Sequence, residues 1–358
     1  MSHRFVALLG VVTSAIAVMW LAPVSVAGQS QTAPARAGAP VKTTAAASAY
    51  IPPKTPWGDP DLQGIWNNST GTPLQRPEKF GDRTVLEEAE AEQFEEELAK
   101  TQNRDNRDGG AEAQVIQGYN DFWTDPRRRE LLKDRRSSLI VDPPDGRIPP
   151  LVPPTPEAAE IRAARAEANV RVAAGRPNDP EDFGLAMRCI VRNDLPPHLS
   201  GLYNNNFQIY QSPGYVIIQA EMIHSARIIP VDGRPPLEKD LRQWQGVARG
   251  HWEGNTLVVA TSNFRRDVGA TYRNANPDSF KLVERFTRVG ADRIDYEFTV
   301  SDPATWTKPW TVRVPWKPAD GELYEYACRE GDFDIRHLLQ MARKLEKAEQ
   351  RGQPSAIR

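Results

Sequence analysis

The sequence predicts a mainly β protein: an antiparallel barrel or strongly curved sheet with a helical insertion and a C-terminal helix. Two observations lead there. Between Leu202 and Cys328, strand-like segments are separated by turn residues at Ser212-Pro213-Gly214, Asp232-Gly233, Gly254-Asn255, Gly290-Ala291-Asp292 and Asp302-Pro303. Short strands at a spacing of roughly 8–12 residues with such turns between them build sandwiches or barrels. The alternation is also sharp. Ile294, Tyr296, Phe298 and Val300 share one face, opposite Arg293, Asp295, Glu297 and Thr299, and Trp310, Val312, Val314 and Trp316 repeat the pattern. A half-buried strand requires this period of two.

The remaining elements follow in chain order. Met1-Ser2-His3-Arg4 is a basic start, Phe5 to Leu21 is almost wholly apolar, and Pro23 to Ala27 offers small residues before Gly28. This is the pattern of a signal peptide over residues 1–27, with a retained anchor helix as the alternative. Its apolar run of about 17 residues is at the short limit for a span, so cleavage is expected to leave no membrane segment. Residues 28–50, rich in Ala, Gln, Thr, Ser and Pro, read as a flexible leader. Residues 51–358 read as one β domain, with the helical insertion over about 84–192 and the C-terminal helix over about 335–350. Leu62 to Trp66 is a first strand expected to pair into the later sheet. Thr84-Val85-Leu86-Glu87 has the form of a capping box, opening a helix to about Lys100. Tyr119 to Trp123 is an aromatic cluster, a basic run follows at 127–136, and Ser138 to Val141 is a short strand. Thr155 as N-cap and Pro156 behind it open a second helix, which Gly175 and Pro177 end. A shorter helix around 183–191 would carry Cys189.

At 358 residues the chain can bury a sizeable core. The net charge of −2 lacks the basic excess of a nucleic-acid binder, so no such partner is expected. The 31 prolines exceed the usual share of about 5% and lie mainly in connections. In an exported protein the even pair Cys189 and Cys328 suggests a disulfide, with two buried free thiols as the alternative, and the signal peptide places the protein in the periplasm or outside the cell.

Several segments resemble a widespread family of uncharacterised exported bacterial proteins: Trp57 to Trp66, Tyr203 to Asn206, Trp252 to Val259, Asp302 to Trp306 and Tyr324 to Cys328. The resemblance covers most of the mature chain and implies export, but it brings no activity with it. Gly64-Ile65-Trp66 also resembles the Gly-x-Trp first strand of lipocalin-type barrels, which implies a lipocalin-like barrel rather than a sandwich.

Candidate functional residues come from polar groups in apolar settings. Glu284 shares a strand face with Phe280, Leu282 and Phe286, where a carboxylate must be paired, hydrogen-bonded or beside a wet cavity. Glu221 falls on the face of Tyr215, Ile217 and Gln219, and His224 and Arg227 follow it closely. His224 beside Glu221 is placed as a general base, with Arg227 and Glu284 completing a catalytic set for a lyase, isomerase or hydrolase. Glu284 with Asp295 or Glu297 would form a carboxylate pair of the glycosidase kind, against ordinary cross-strand pairing with arginine. Tyr203, Asn205, Trp252, Tyr296 and Tyr326 are the candidate ligand-binding residues, since such rings line sugar or aromatic sites as well as cores. The spacing of His198, His224, His251 and His337 matches no HxH or HExxH pattern, and no phosphate loop or dinucleotide fingerprint occurs, so no metal or cofactor is expected. Binding of a small carbohydrate or aromatic molecule in the barrel ranks first. Cofactor-free catalysis is the alternative, and an envelope protein docking a partner through the insertion is the third reading.

Overall fold

A computed structural model describes residues 50–103, 105, 121–192, 194–266, 275–328 and 334–352; the expected signal peptide and nearly all of the leader lie outside them. The strands are β1 (Gly64–Asn67), β2 (Ile140–Asp142), β3 (Asn206–Ser212), β4 (Tyr215–Ala220) and β5 (Ala226–Pro230). After them come β6 (Val247–Glu253), β7 (Thr256–Ser262), β8 (Lys281–Gly290), β9 (Arg293–Ser301) and β10 (Trp310–Pro318). All pair antiparallel in one sheet of order β5-β4-β3-β1-β10-β9-β8-β7-β6, with β2 on β10. The two ends of that order, β5 and β6, approach one another and nearly close a barrel. The expected mainly β barrel is therefore what forms.

The turns match their residues. Gly214 between β3 and β4 has φ 79° and Gly254 between β6 and β7 has φ 59°, a region that residues with a Cβ rarely enter. β1 joins the later sheet as anticipated, and it is the splice between two runs of hairpins. Trp66 faces Phe207 of β3 on one side and Pro318 of β10 on the other. Gln211 fixes its approach, accepting from the Leu62 amide at 2.6 Å and donating to the Pro60 carbonyl at 3.0 Å. β2 then takes the same edge of β10 farther along, opposite Thr311 and Val312.

Inward-facing side chains fill the middle. Trp310, Trp316, Tyr296, Phe207, Phe286 and Phe298 are all fully buried. Phe207 stacks on Trp316 at 4.8 Å, and Tyr296 lies 4.7 Å from Phe286 and 5.1 Å from Trp316. Aromatic pairs at such separations contribute about 0.5–1.5 kcal/mol beyond their buried area.

Three expectations are corrected in detail. The first helix, α1 (Glu88–Thr101), starts later than Thr84, because residues 84–86 are extended against 135–137: Ser137 donates its amide to the Thr84 carbonyl and Leu86 donates to Arg135. Its capping box is built by Glu87 and Glu90 instead. No helix forms at 183–191. Successive turns occur there, and Cys189 has φ 53°, outside the helical region. Glu221 does not share the face of Tyr215, Ile217 and Gln219, since β4 ends at Ala220 and Glu221 turns to helical φ, ψ of −62°, −44°.

The second helix, α2 (Pro156–Ala173), begins as read, with Thr155 accepting from the Ala158 amide. α1 packs apart from the barrel core in a small cluster of Phe80, Leu86, Phe94 and Leu131. The last helix, α3 (Asp334–Gln350), and the Cys189–Cys328 disulfide are also as expected.

Closure at the seam depends on a small residue. A Cβ placed on Gly250 of β6 would lie 2.8 Å from Val231 and 2.9 Å from Ile229 at the end of β5. Gly250→Val is expected to lower stability by about 1–3 kcal/mol through overpacking. Urea unfolding checks this, and an unchanged midpoint would show that the seam is loosely packed.

Candidate functional site

The interior holds a buried ion pair between strands that are not neighbours. Alternation on β8 turns Glu284 inward with Leu282 and Phe286, and on β5 it turns Arg227 inward with Ile229. Arg227 Nη1 donates to Glu284 Oε1 at 3.0 Å, while Nη2 reaches Glu284 Oε2 and the Thr261 hydroxyl. Side-chain exposure is 3% for Arg227 and 0% for Glu284. On β6 the buried positions paired with Thr261 and Val259 of β7 are small, Ala248 and Gly250.

Tyr296 extends the network. Its hydroxyl donates to Glu284 Oε1 at 2.8 Å and accepts from the His198 amide at 3.1 Å. Burial, and then the Glu284 charge, push the phenol well above its ordinary range, so it remains a donor. A continuous chain thus runs from the backbone at His198 through Tyr296 and Glu284 to Arg227 and Thr261.

The His198 ring lies among the interior aromatics, 4.7 Å from Phe207 and 6.0 Å from Trp316. It is buried, and neither ring nitrogen has a hydrogen-bond partner. Burial, and then the charge of Arg227, hold its pKa well below the usual 6.5, so the ring is neutral. Arg227 Nε, Trp316 Nε1 and Asn68 Oδ1 are likewise buried without partners, and Asn68 donates to the His198 carbonyl at 3.2 Å. The site therefore has aromatic walls, a neutral ion pair and several hydrogen-bonding atoms that the protein leaves unused.

The sequence-designated residues fall into two groups. Arg227, Glu284 and Tyr296 are joined in the interior. Glu221 and His224 engage other groups: Glu221 accepts from Asn206 at 2.8 Å and from the Tyr324 amide at 3.3 Å, and the His224 ring accepts from the Tyr326 amide at 2.8 Å. Tyr203 and Tyr326 share Arg192, whose Nη1 lies 3.0 and 3.3 Å from their hydroxyls. Asn205 is buried and closes its own loop on Gly201, at 2.6 Å from the amide. Trp252 is half-buried on β6, with its indole nitrogen buried and unbonded. Asp295 and Glu297 lie on the opposite face from Glu284 and pair with Arg293 and Arg313, both at 2.6 Å. The carboxylate pair does not form. Among the described residues no three His, Cys, Asp or Glu side chains converge to hold an ion.

Sequence reasoning passed over His198 and Thr261. The available signal for His198 was its setting in Leu195-Pro196-Pro197-His198-Leu199, an apolar run with no nearby charge beyond Asp194.

No protein-family model and no curated protein matches the chain. Two solved structures overlay on part of it. A secretary abundant heat soluble protein from Ramazzottius varieornatus covers 32% of this chain and 70% of its own, at 9% identity and a TM-score of 0.21. A single-substitution variant of the fluorescent protein UnaG covers 39% of this chain and 88% of its own, at 14% identity and a TM-score of 0.21.

Two measurements probe the interior. Glu284→Gln or Arg227→Met strands a buried charge and is expected to cost about 3–5 kcal/mol, whereas the double variant Arg227→Met/Glu284→Leu recovers most of that loss. Equal losses in single and double variants, read by urea unfolding, would mean that the pair is not energetically coupled.

For pH, unfolded His198 takes up a proton near 6.5 while the folded ring does not. The unfolded chain then binds the extra proton, so this contribution is fully present above that pH. It falls by up to about 1.4 kcal/mol per unit below it. Asp194, whose carboxyl burial pushes upward, acts in the opposite sense at lower pH. Comparing urea midpoints at about pH 7.5 and about pH 5, on either side of the unfolded histidine's value, with those of His198→Gln isolates the histidine, whose loss should flatten the profile.

Proposed function

We propose that the protein binds a small, uncharged aromatic molecule at the His198 end of the barrel interior. The observation that carries this reading is the set of buried, unbonded polar atoms on His198, Arg227, Trp316 and Asn68 inside an aromatic wall. Each such atom costs about 1–3 kcal/mol when left unsatisfied, so a partner that bonds to them is favoured by their own desolvation. The charges of Arg227 and Glu284 offset one another, His198 is neutral and Tyr296 keeps its proton, which favours a neutral ligand over an ion. Flat walls at Phe207 and Trp316 favour an aromatic ring over a sugar, whose many hydroxyls would need more partners. A carbonyl or hydroxyl on that ring would accept from Arg227 Nε or Trp316 Nε1 and pair with the imidazole.

An exported site of action accompanies this reading. The disulfide supports an oxidising compartment, periplasmic or secreted, because such bonds rarely persist in a reducing cytosol. Among the described residues no helix is long and apolar enough to cross a membrane.

The test is a thermal-shift screen of the oxidised protein against neutral phenolics, quinones and sugars, with each stabilising compound recovered and checked for product. A phenolic or quinone at a hundredfold excess over its Kd should stabilise by about 2.7 kcal/mol and be recovered unchanged. His198→Phe, which fills the same space without nitrogens, should remove that shift and remain folded. Stabilisation unaffected by His198→Phe would move the site elsewhere. Turnover of the bound compound would replace carriage with catalysis.

A further inference from the structure

A pocket lies away from the strands, between the first turns of α3 and the segment around Ile190 next to the disulfide. It is an open depression of about 600 Å³, and Pro180, Ile190, Ile335 and Leu339 supply its apolar surface, with Arg188 and Arg336 beside them. None of these residues belongs to a strand, so the site is separate from the barrel interior. The volume falls in the range of small-molecule sites, about 300–1,000 Å³.

The way α3 is held explains why the pocket stays open. Its apolar stripe runs through Ile335, Leu338, Leu339 and Ala342, the spacing of one helix face, yet only Ala342 is buried. Polar contacts anchor the helix at its C-terminal half. Arg343 donates to the Asn178 carbonyl at 3.2 Å and to the Pro177 carbonyl at 2.6 Å, and Arg176 Nη1 donates to Glu349 Oε2 at 3.0 Å. The opposite wall is fixed by the Cys189–Cys328 disulfide next to Ile190. The anchored C-terminal half and the covalently held wall leave Ile335 and Leu339 facing a gap that no side chain of the described residues fills.

We propose that this pocket binds a single-chain amphiphilic anion, of the chemical class of a medium-chain carboxylate. Aliphatic walls of Ile, Leu and Pro suit an acyl chain, which needs no aromatic stacking. The guanidinium groups select the head. Arg188 pairs with Glu181 at 3.4 Å, whereas Arg336 is exposed with no acidic partner among the described residues. Arg336 therefore meets the carboxylate, and Arg188 adds charge beside it. Arginine holds a carboxylate through two parallel N–H donors, so a planar anionic head is preferred over an alcohol.

The experiment is calorimetric titration of the oxidised full chain with octanoate, decanoate and dodecanoate, each below its micelle concentration, with decanol as the neutral control. Affinity should rise about fourfold per added methylene until the pocket is filled. Decanol should bind at least tenfold more weakly than decanoate. Arg336→Glu, an exposed change that leaves the fold intact, should weaken dodecanoate at least tenfold. Leu339→Trp, checked for native circular dichroism, should block it. His198→Phe should leave dodecanoate binding unchanged, which separates this pocket from the barrel site. Wild-type affinity in Arg336→Glu, equal binding of decanol and decanoate, or loss of dodecanoate binding in His198→Phe would each overturn the assignment.

Discussion

The buried pair of Arg227 and Glu284 is the interaction on which the architecture depends. A sheet of order β5-β4-β3-β1-β10-β9-β8-β7-β6 has two free edges unless something draws them together. Arg227 sits on one end strand and reaches past the other to Glu284 on β8 and Thr261 on β7. Removing two charges from water is costly, and their attraction compensates only when the geometry is good and every remaining lone pair is used. Here the carboxylate accepts from two guanidinium nitrogens and a phenol, while Arg227 Nε stays buried without a partner. A small residue on β6 accompanies this closure, because a Cβ on Gly250 would press on Val231 and Ile229 at the seam.

The same network organises the end of the barrel. Tyr296 carries the polar chain from Glu284 to the His198 backbone, so the segment that includes His198 is tied to the interior. That attachment places an imidazole among aromatic rings, where burial keeps it neutral. The interior therefore combines a fully bonded carboxylate with unsatisfied polar atoms on His198, Trp316, Asn68 and Arg227 itself. A fold selected for stability alone gains nothing from the unsatisfied group. Glu221, His224, Tyr324 and Tyr326 form a separate polar cluster, in which an irregular segment ending at the disulfide packs on the turn between β4 and β5.

Much of the architecture could be read directly from the chain. Alternation in Arg293 to Val300 and Trp310 to Trp316 assigns the inner faces correctly, because a period of two is a local property of the backbone. Glu284 stood out for the same reason: a carboxylate on an apolar face is visible in one strand. Local signals misled where tertiary contacts compete with them. Thr84 has the residue type of a cap, but the chain there pairs with 135–137 and the helix starts later. Glu221 continues an alternating pattern on paper, yet the strand ends one residue before it.

By itself the sequence determined the strand-rich class, the turns, the inward position of Glu284, the start of α2 and the cysteine pair, since each rests on spacing of a few residues or on residue type. Only the tertiary structure decided the partners. Arg227 is 57 residues from Glu284, and the His198 amide is 98 residues from the Tyr296 hydroxyl that binds it. Those contacts depend on how the barrel closes and on its stagger, which are set by the packing of all strands together and leave no trace in any one of them.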